Sequence, residues 1–337
     1  MTSQHSGKKT VVVIGGTGEY GGSVALSLND NPAFHVRVTT RDPTTEKAQK
    51  KSAAGIEVVK ADSWESEELG NAFKGAWGLY VNTDSDDPNF KAGIGPPESE
   101  MGTTIIDAAK KAGVKHFVYA GLPEASRVTN GEVPILSFDT KHFIFNYAKK
   151  AGFETATRVN AGWALENFEK ELYRVAFGGF HTFPDDEGNL TLKVFPMGND
   201  PEIVPWTAVR DDYGDQVHAV FLDPARYNGG TYWLLSDPQS FQALPDAYNK
   251  WSGIEKARYV PLTGRMTAST PGKTKEVNGL HDYCHWVKGN YLNGEPAHLR
   301  DSIPLKRLGA EARGKTGQDL ELMTVDRYYQ RLLEKSR

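Results

Sequence analysis

Short apolar runs rich in β-branched residues alternate with amphipathic stretches of helical period through the first half of the chain. This is the pattern of a parallel sheet covered by helices on both faces. Six runs read as strands: residues 10–15, 35–40, 56–60, 78–82, 116–120 and 154–159. Between the fourth and fifth, Met101, Ile105, Ala108 and Ala112 recur every three or four positions, which predicts a helix making a right-handed crossover between parallel strands. Beyond Asn160 the alternation gives way to aromatic sequence punctuated by Pro and Gly. There the pattern predicts a strand at 190–195, a loop at 197–205, helices at 241–251 and 324–334, and small polar loops at 268–274 and 309–317. The expected organisation is a sheet domain over residues 8–160 and a smaller lobe over 161–337. Some segments of the lobe return to complete the sheet, and the lobe covers the carboxyl edge where such sheets bind ligands.

Composition narrows the function classes. A chain of 337 residues, 39% hydrophobic and 24% charged, has ample material for a core. Its net charge of −4 offers no global positive field, so direct binding to nucleic acid or to an anionic membrane is not expected. The single cysteine, Cys284, excludes an internal disulfide and fits a reducing compartment, cytoplasmic with the nucleus as the alternative. Residues 1–9 are short, polar and basic and run straight into the first strand, so no signal peptide is expected. No window approaches the roughly 18 uncharged apolar residues of a membrane span.

The most informative local sequence is Gly15-Gly16-Thr17-Gly18-Glu19-Tyr20-Gly21-Gly22, directly after the first strand and opening a helix through Ser23, Val24 and Leu26. It satisfies G-x-G-x-x-G through Gly16, Gly18 and Gly21, and G-x-x-G-x-x-G through Gly15, Gly18 and Gly21. Side chains at the early glycines would obstruct the turn or hold a pyrophosphate away, and the last glycine lets helix and strand pack closely. The helix N-terminus then offers free N–H groups to the phosphates. A strand before, a helix after and this place in the chain predict a bound dinucleotide rather than a bare turn.

The second strand ends Thr39-Thr40-Arg41, where an NAD site usually carries an acidic residue for the ribose 2′-hydroxyl. Arg41 instead presents a permanently charged planar fork suited to a 2′-phosphate, which favours NADP(H). Asp42 keeps NAD(H) as the alternative, since it can salt-bridge Arg41 or take a ribose hydroxyl. Asp62 and Ser63 follow the third strand, in the place of an adenine acceptor. Asn82, Thr83 and Asp84 follow the fourth, beside the expected nicotinamide ribose.

With these residues in hand, the chain resembles the NmrA-like family, atypical members of the short-chain dehydrogenase/reductase superfamily. The resemblance rests on the glycine loop from Val13 to Val24, the turn Thr40-Arg41-Asp42-Pro43, Ser137-Phe138-Asp139-Thr140-Lys141, and Leu165-Glu166-Asn167-Phe168. It covers most of the chain and is strongest over residues 10–170. It implies a Rossmann-type doubly wound parallel sheet with a smaller mixed α/β C-terminal lobe. By the same resemblance the cofactor site would be lined by Gly15, Gly16, Thr17, Gly18, Glu19, Tyr20, Arg41, Asp62, Ser63, Asn82, Thr83, Asp84, Lys141, Ala164, Leu165, Glu166 and Asn167. Lys141 also suits the site on its own chemistry, because an ammonium can hydrogen-bond the nicotinamide ribose.

Catalysis is less legible. Typical short-chain dehydrogenases donate a proton from a Tyr four residues before the Lys, and a Ser polarises the substrate carbonyl. Here the first position is Ser137, and the stretch after the fifth strand offers Gly121 where the superfamily often has serine. The resemblance implies that NmrA-like regulators share this vacancy, which favours a redox-state sensor, a regulator of the transcriptional co-regulation type that binds the dinucleotide and acts through a protein partner. For that role the two cofactor forms must stabilise different conformations. The alternative is an NADPH-dependent carbonyl, imine or enone reductase using Lys141, with Tyr119 or Tyr147 as the acid. A purely structural module with a vestigial site would have no reason to keep the loop glycines together with Arg41 and Lys141. His281, Cys284 and His285 lack a second ligand cluster, so no metal site is expected.

Overall fold

The computed structural model describes residues 7–85, 97–267 and 271–335. The chain opens with β1 (Lys9–Ile14), helix α1 (Glu19–Asn29) and β2 (Phe34–Thr40). β3 (Glu57–Lys60), β4 (Gly78–Val81), β5 (His116–Gly121) and β6 (Thr155–Ala161) follow, each after a helical segment. All six predicted strands are present to within a residue or two at either end. A seventh, β10 (Thr231–Leu234), lies in the C-terminal half and pairs in parallel with β6. The resulting sheet runs β10-β6-β5-β4-β1-β2-β3, and its neighbouring strands pair in parallel throughout the described residues. Parallel strands buried on both faces read as near-continuous apolar runs, and Val11, Val12 and Val13 of β1 are fully buried.

Chain order reverses between β1 and β4. A crevice opens at the carboxyl ends of the strands at such a switch point. Side chains alternate across the sheet: Val11 and Val13 join the core under α1, whereas Val12 and Ile14 join the core under Glu98–Lys111 and Leu136–Lys150.

The lobe is organised around an aromatic core that includes Phe168, Phe180, Phe195, Trp206, Phe241 and Tyr329. Two small sheets frame it. β11 (Asp237–Gln239) and β7 (Trp163–Ala164) flank β9 (Val204–Thr207), while β8 (Leu190–Val194) pairs with β12 (Ala257–Pro261). Three predicted loops are corrected. Residues 204–205, the end of the loop expected at 197–205, open β9. Residues 309–312 are the end of the helix Ser302–Ala312, and residues 271–274 open the helix Pro271–Trp286, while 268–270 lie outside the described residues. Gly309 looks like loop sequence, yet a Cβ there would lie 1.8 Å from the Asp215 carbonyl oxygen. The glycine permits close helix crossing against Gly214–Leu222, a tertiary demand that overrides its low helix propensity.

Candidate functional site

A cavity of about 730 Å³ occupies the crevice, and every one of the six N-terminal strands delivers residues to it. Ile14 and Gly15 come from β1, Thr39 to Asp42 from β2, Ala61 to Ser63 from β3 and Asn82 to Ser85 from β4. Ala120 to Leu122 come from β5 and Ala161 from β6. The lobe closes the other side with Asn167, Lys170, Tyr173 and Tyr213.

The glycine loop forms the floor. Gly15 has a φ of +75°, a left-handed conformation that side chains disfavour, and its carbonyl accepts the Gly18 N–H at 2.9 Å. A Cβ on Gly21 would lie 2.4 Å from the Gly15 oxygen, and one on Gly16 would lie 2.5 Å from Val38 Cγ1. These glycines therefore let α1 approach the strand ends. Gly15, Thr17, Gly18 and Tyr20 face the cavity, while Gly16 and Gly21 pack behind it. Glu19 turns away from it to Arg210, whose Nε lies 2.6 Å from Glu19 Oε1.

Around the rim, Arg41, Asp62, Ser63, Asn82, Thr83 and Asp84 all face the cavity, as does Asn167. Asp42 also lines it, with its carboxylate accepting the Thr44 N–H and hydroxyl at 2.8 and 2.6 Å. Asp62 Oδ1 accepts the Trp64 N–H at 3.1 Å. Of the resemblance-derived stretch from Ala164 to Asn167, only Asn167 reaches the cavity. Ala164, Leu165 and Glu166 are core, with Glu166 fully buried.

Lys141 lines the cavity from Leu136–Lys150, yet its ammonium is engaged inside the wall. It donates to the Thr83 carbonyl at 2.8 Å, the Thr83 hydroxyl at 2.9 Å and Glu98 Oε1 at 3.0 Å. An ammonium has three hydrogens, and all three are taken. Thr83 donates its own hydroxyl to Glu98 at 2.6 Å. Tyr119 meets the same hydroxyl at 2.9 Å and lies beneath Thr83, fully buried, with burial raising its phenol well above the ordinary range. Tyr119 is therefore one residue removed from the cavity wall. Tyr147 is farther still, donating to Asp107 at 2.9 Å on an exposed helix face.

Ser137 lines a separate, smaller cavity with Glu98 and Thr140. Gly121 is sterically closed to a serine, because a Cβ there would lie 2.5 Å from Asn160 Oδ1 and 2.6 Å from Arg158 Cδ. Sequence reasoning missed Glu98, Lys170, Tyr173 and Tyr213. No local signal marks Glu98, 43 positions from Lys141. Lys170 and Tyr173 follow Asn167 closely and were within reach of the same motif. Cys284 is buried, its thiol pushed up by burial. Among the described residues no group of three metal-ligating side chains converges, and no helix is long and apolar enough to cross a membrane.

The sequence profile of the NmrA-like family matches residues 7–276, which carry the glycine loop, all six strand ends and the first part of the lobe. The chain belongs to the NmrA-like family. Within it, the chain is 41% identical over 314 residues to the NmrA-like family domain-containing oxidoreductase FrzB of a Cladobotryum species, covering 90% of this chain and 92% of that protein. It is 39% identical over 305 residues to the oxidoreductase lnaB of Aspergillus flavus, covering 89% and 91%. In fold it is similar to the crystal structure of NmrA, a negative transcriptional regulator, in complex with NADP. That match has a TM-score of 0.73 and 20% identity, and it covers 98% of this chain and 97% of that one.

Proposed function

We propose that the chain is an NADP(H)-dependent oxidoreductase. The observation that carries this reading is the single cavity joining the ends of six strands, from Arg41 at β2 past the glycine loop to Lys141 and the lobe residues Asn167, Lys170 and Tyr173. Its residue types fit a dinucleotide: a glycine floor with no room for a Cβ behind it at Gly16 and Gly21, a helix N-terminus for phosphates, and a guanidinium in place of an acidic residue at β2. When bound, such a cofactor supplies a hydride. The protein's own residues hold and shield it. Arg41 recognises the 2′-phosphate, Thr17 and Gly18 contact the pyrophosphate, and Asn82 to Asp84 receive the nicotinamide ribose. A ribose hydroxyl would take one Lys141 hydrogen in exchange for a Thr83 bond. Proton delivery to a reduced substrate falls to groups on the cavity wall, among which Lys141, Lys170, Tyr20, Tyr173 and Tyr213 carry transferable protons. Tyr119 is too deep to serve directly.

The balance between enzyme and sensor is moved by relatedness. Relatives about twice as similar as the regulator, matching nine-tenths of their length, bear the name oxidoreductase, whereas the regulator's likeness is one of fold. A redox sensor acting through a protein partner remains the second reading, favoured by Ser137 and Gly121 at the acid and serine positions and by the full engagement of Lys141.

The test is titration of purified protein with NADP, NADPH, NAD and NADH, followed by NADPH oxidation with a panel of carbonyls, imines and enones. Tight binding of the phosphorylated pair with turnover is expected. Binding without turnover across the panel would return the sensor, and no binding of any dinucleotide would defeat both readings.

A further inference from the structure

Glu19 is a chemical anomaly. It places a carboxylate between Gly18 and Tyr20, which both line the cavity, and it is the first residue of α1, whose positive end faces the site. An uncompensated anion there would compete with a phosphate for the helix N-terminus and repel it.

Arg210, 191 positions away in the segment Val209–Tyr213, answers that charge. Its Nε donates to Glu19 Oε1 at 2.6 Å, and its Nη1 and Nη2 make a fork on Glu169 at 3.1 and 2.7 Å. Its backbone N–H donates to buried Glu166 at 2.8 Å. Glu169 is also held by the Tyr328 hydroxyl. It precedes Lys170, whose ammonium donates to Asn167 at 3.1 Å, and both of these line the cavity. One guanidinium thus draws the Glu19 carboxylate away from the loop and ties the loop to the lobe segment that roofs it. As an isolated surface ion pair this contact would contribute little to stability. Its place beside an anion-binding loop gives it a different use.

We propose that Arg210 is a positioning residue for the dinucleotide, neutralising Glu19 so that the glycine loop can accept a pyrophosphate. The inference rests on the dinucleotide reading of the cavity. Because the pair is partly exposed, its effect is screened by salt.

The experiment is NADPH and NADP titration of wild type, Arg210→Ala, Glu19→Gln and the double variant, at low and high ionic strength, with circular dichroism and melting to verify folding. Arg210→Ala is expected to weaken both ligands about 10-fold at low salt and less at high salt. Glu19→Gln should bind at least as tightly as wild type. The double variant should recover to within about 3-fold of wild type, since the carboxylate in the glycine loop is gone and only Glu169, outside the loop, has lost its guanidinium. A role confined to tying the lobe down would leave the double variant as weak as Arg210→Ala, and that result overturns the proposal, as does an Arg210→Ala that binds normally. Should Arg210→Ala fail to fold, Glu19→Lys decides alone: tighter, salt-sensitive binding supports the charge argument and unchanged binding refutes it. A wild-type protein that binds no dinucleotide would instead strike at the reading of the cavity itself.

Discussion

Lys141 and Glu98 form an ion pair inside the protein, with Nζ 3.0 Å from Oε1 and side-chain exposures of 6% and 4%. Removing one partner of a buried pair leaves a charge with neither water nor counterion, which typically costs about 3–5 kcal/mol. Glu98→Ala and Lys141→Met should each lower the urea midpoint accordingly. The double variant Lys141→Met/Glu98→Leu should recover much of the loss, because apolar replacement of a whole buried pair is often neutral. Additive losses in the double-mutant cycle would show that the two do not act as a pair.

Arg41 sets the expected cofactor preference. Arg41→Ala should weaken NADP and NADPH by about 10-fold or more, the scale of a lost charge-assisted contact, while NAD and NADH change little. Four parallel titrations check this. Equal weakening of all four would overturn the assignment to a 2′-phosphate.

The sheet was readable from the sequence because its strands are buried on both faces and so stand out as apolar runs, and because Gly15, Gly18 and Gly21 mark a turn where backbone must approach backbone. What could not be read arises from contacts between distant positions. Tyr119 belongs to an apolar strand, and nothing local distinguishes a phenol facing the crevice from one held under Thr83. Glu98 and Arg210 resemble ordinary surface charges until folding sets them beside Lys141 and Glu19, 43 and 191 positions away. Gly309 was misread because its helix needs a missing side chain against Asp215.

Gly21 offers a sharper test of the loop. The atoms a Cβ would meet are the Gly15 carbonyl oxygen and carbon at 2.4 and 2.6 Å, backbone that cannot swing aside as a flexible side chain can. Gly21→Ala should therefore push α1 away from the loop, costing about 1–3 kcal/mol of stability as overpacking does, and it should abolish NADPH binding. A variant that melts and titrates like wild type would mean that the contact relaxes at no cost.

Glu166 predicts a pH dependence of stability. It is fully buried. Its Oε1 accepts the Arg210 N–H at 2.8 Å, whereas Oε2 meets no donor among the described residues. Burial raises its carboxyl from 4.5 to about 7, with the N–H groups of Arg210 and Val209 pulling weakly the other way. Between those values the folded protein keeps a proton that the unfolded chain has released, so this group's contribution to stability declines as pH rises through the interval and is level above it. The interval corresponds to about 3 kcal/mol. His218 acts in the opposite sense: burial lowers it from 6.5 to about 4, so the unfolded chain binds the extra proton and stability increases with pH over that range. Because the two slopes oppose each other, the wild-type profile alone does not isolate Glu166. The difference between Glu166→Gln and wild type does, since His218 is common to both. Gln stays neutral and retains an acceptor for Arg210. Urea unfolding across the interval should find the variant gaining on wild type by about 3 kcal/mol from its acid to its neutral end. A constant difference would show that Glu166 ionises as freely in the folded protein as in the unfolded one.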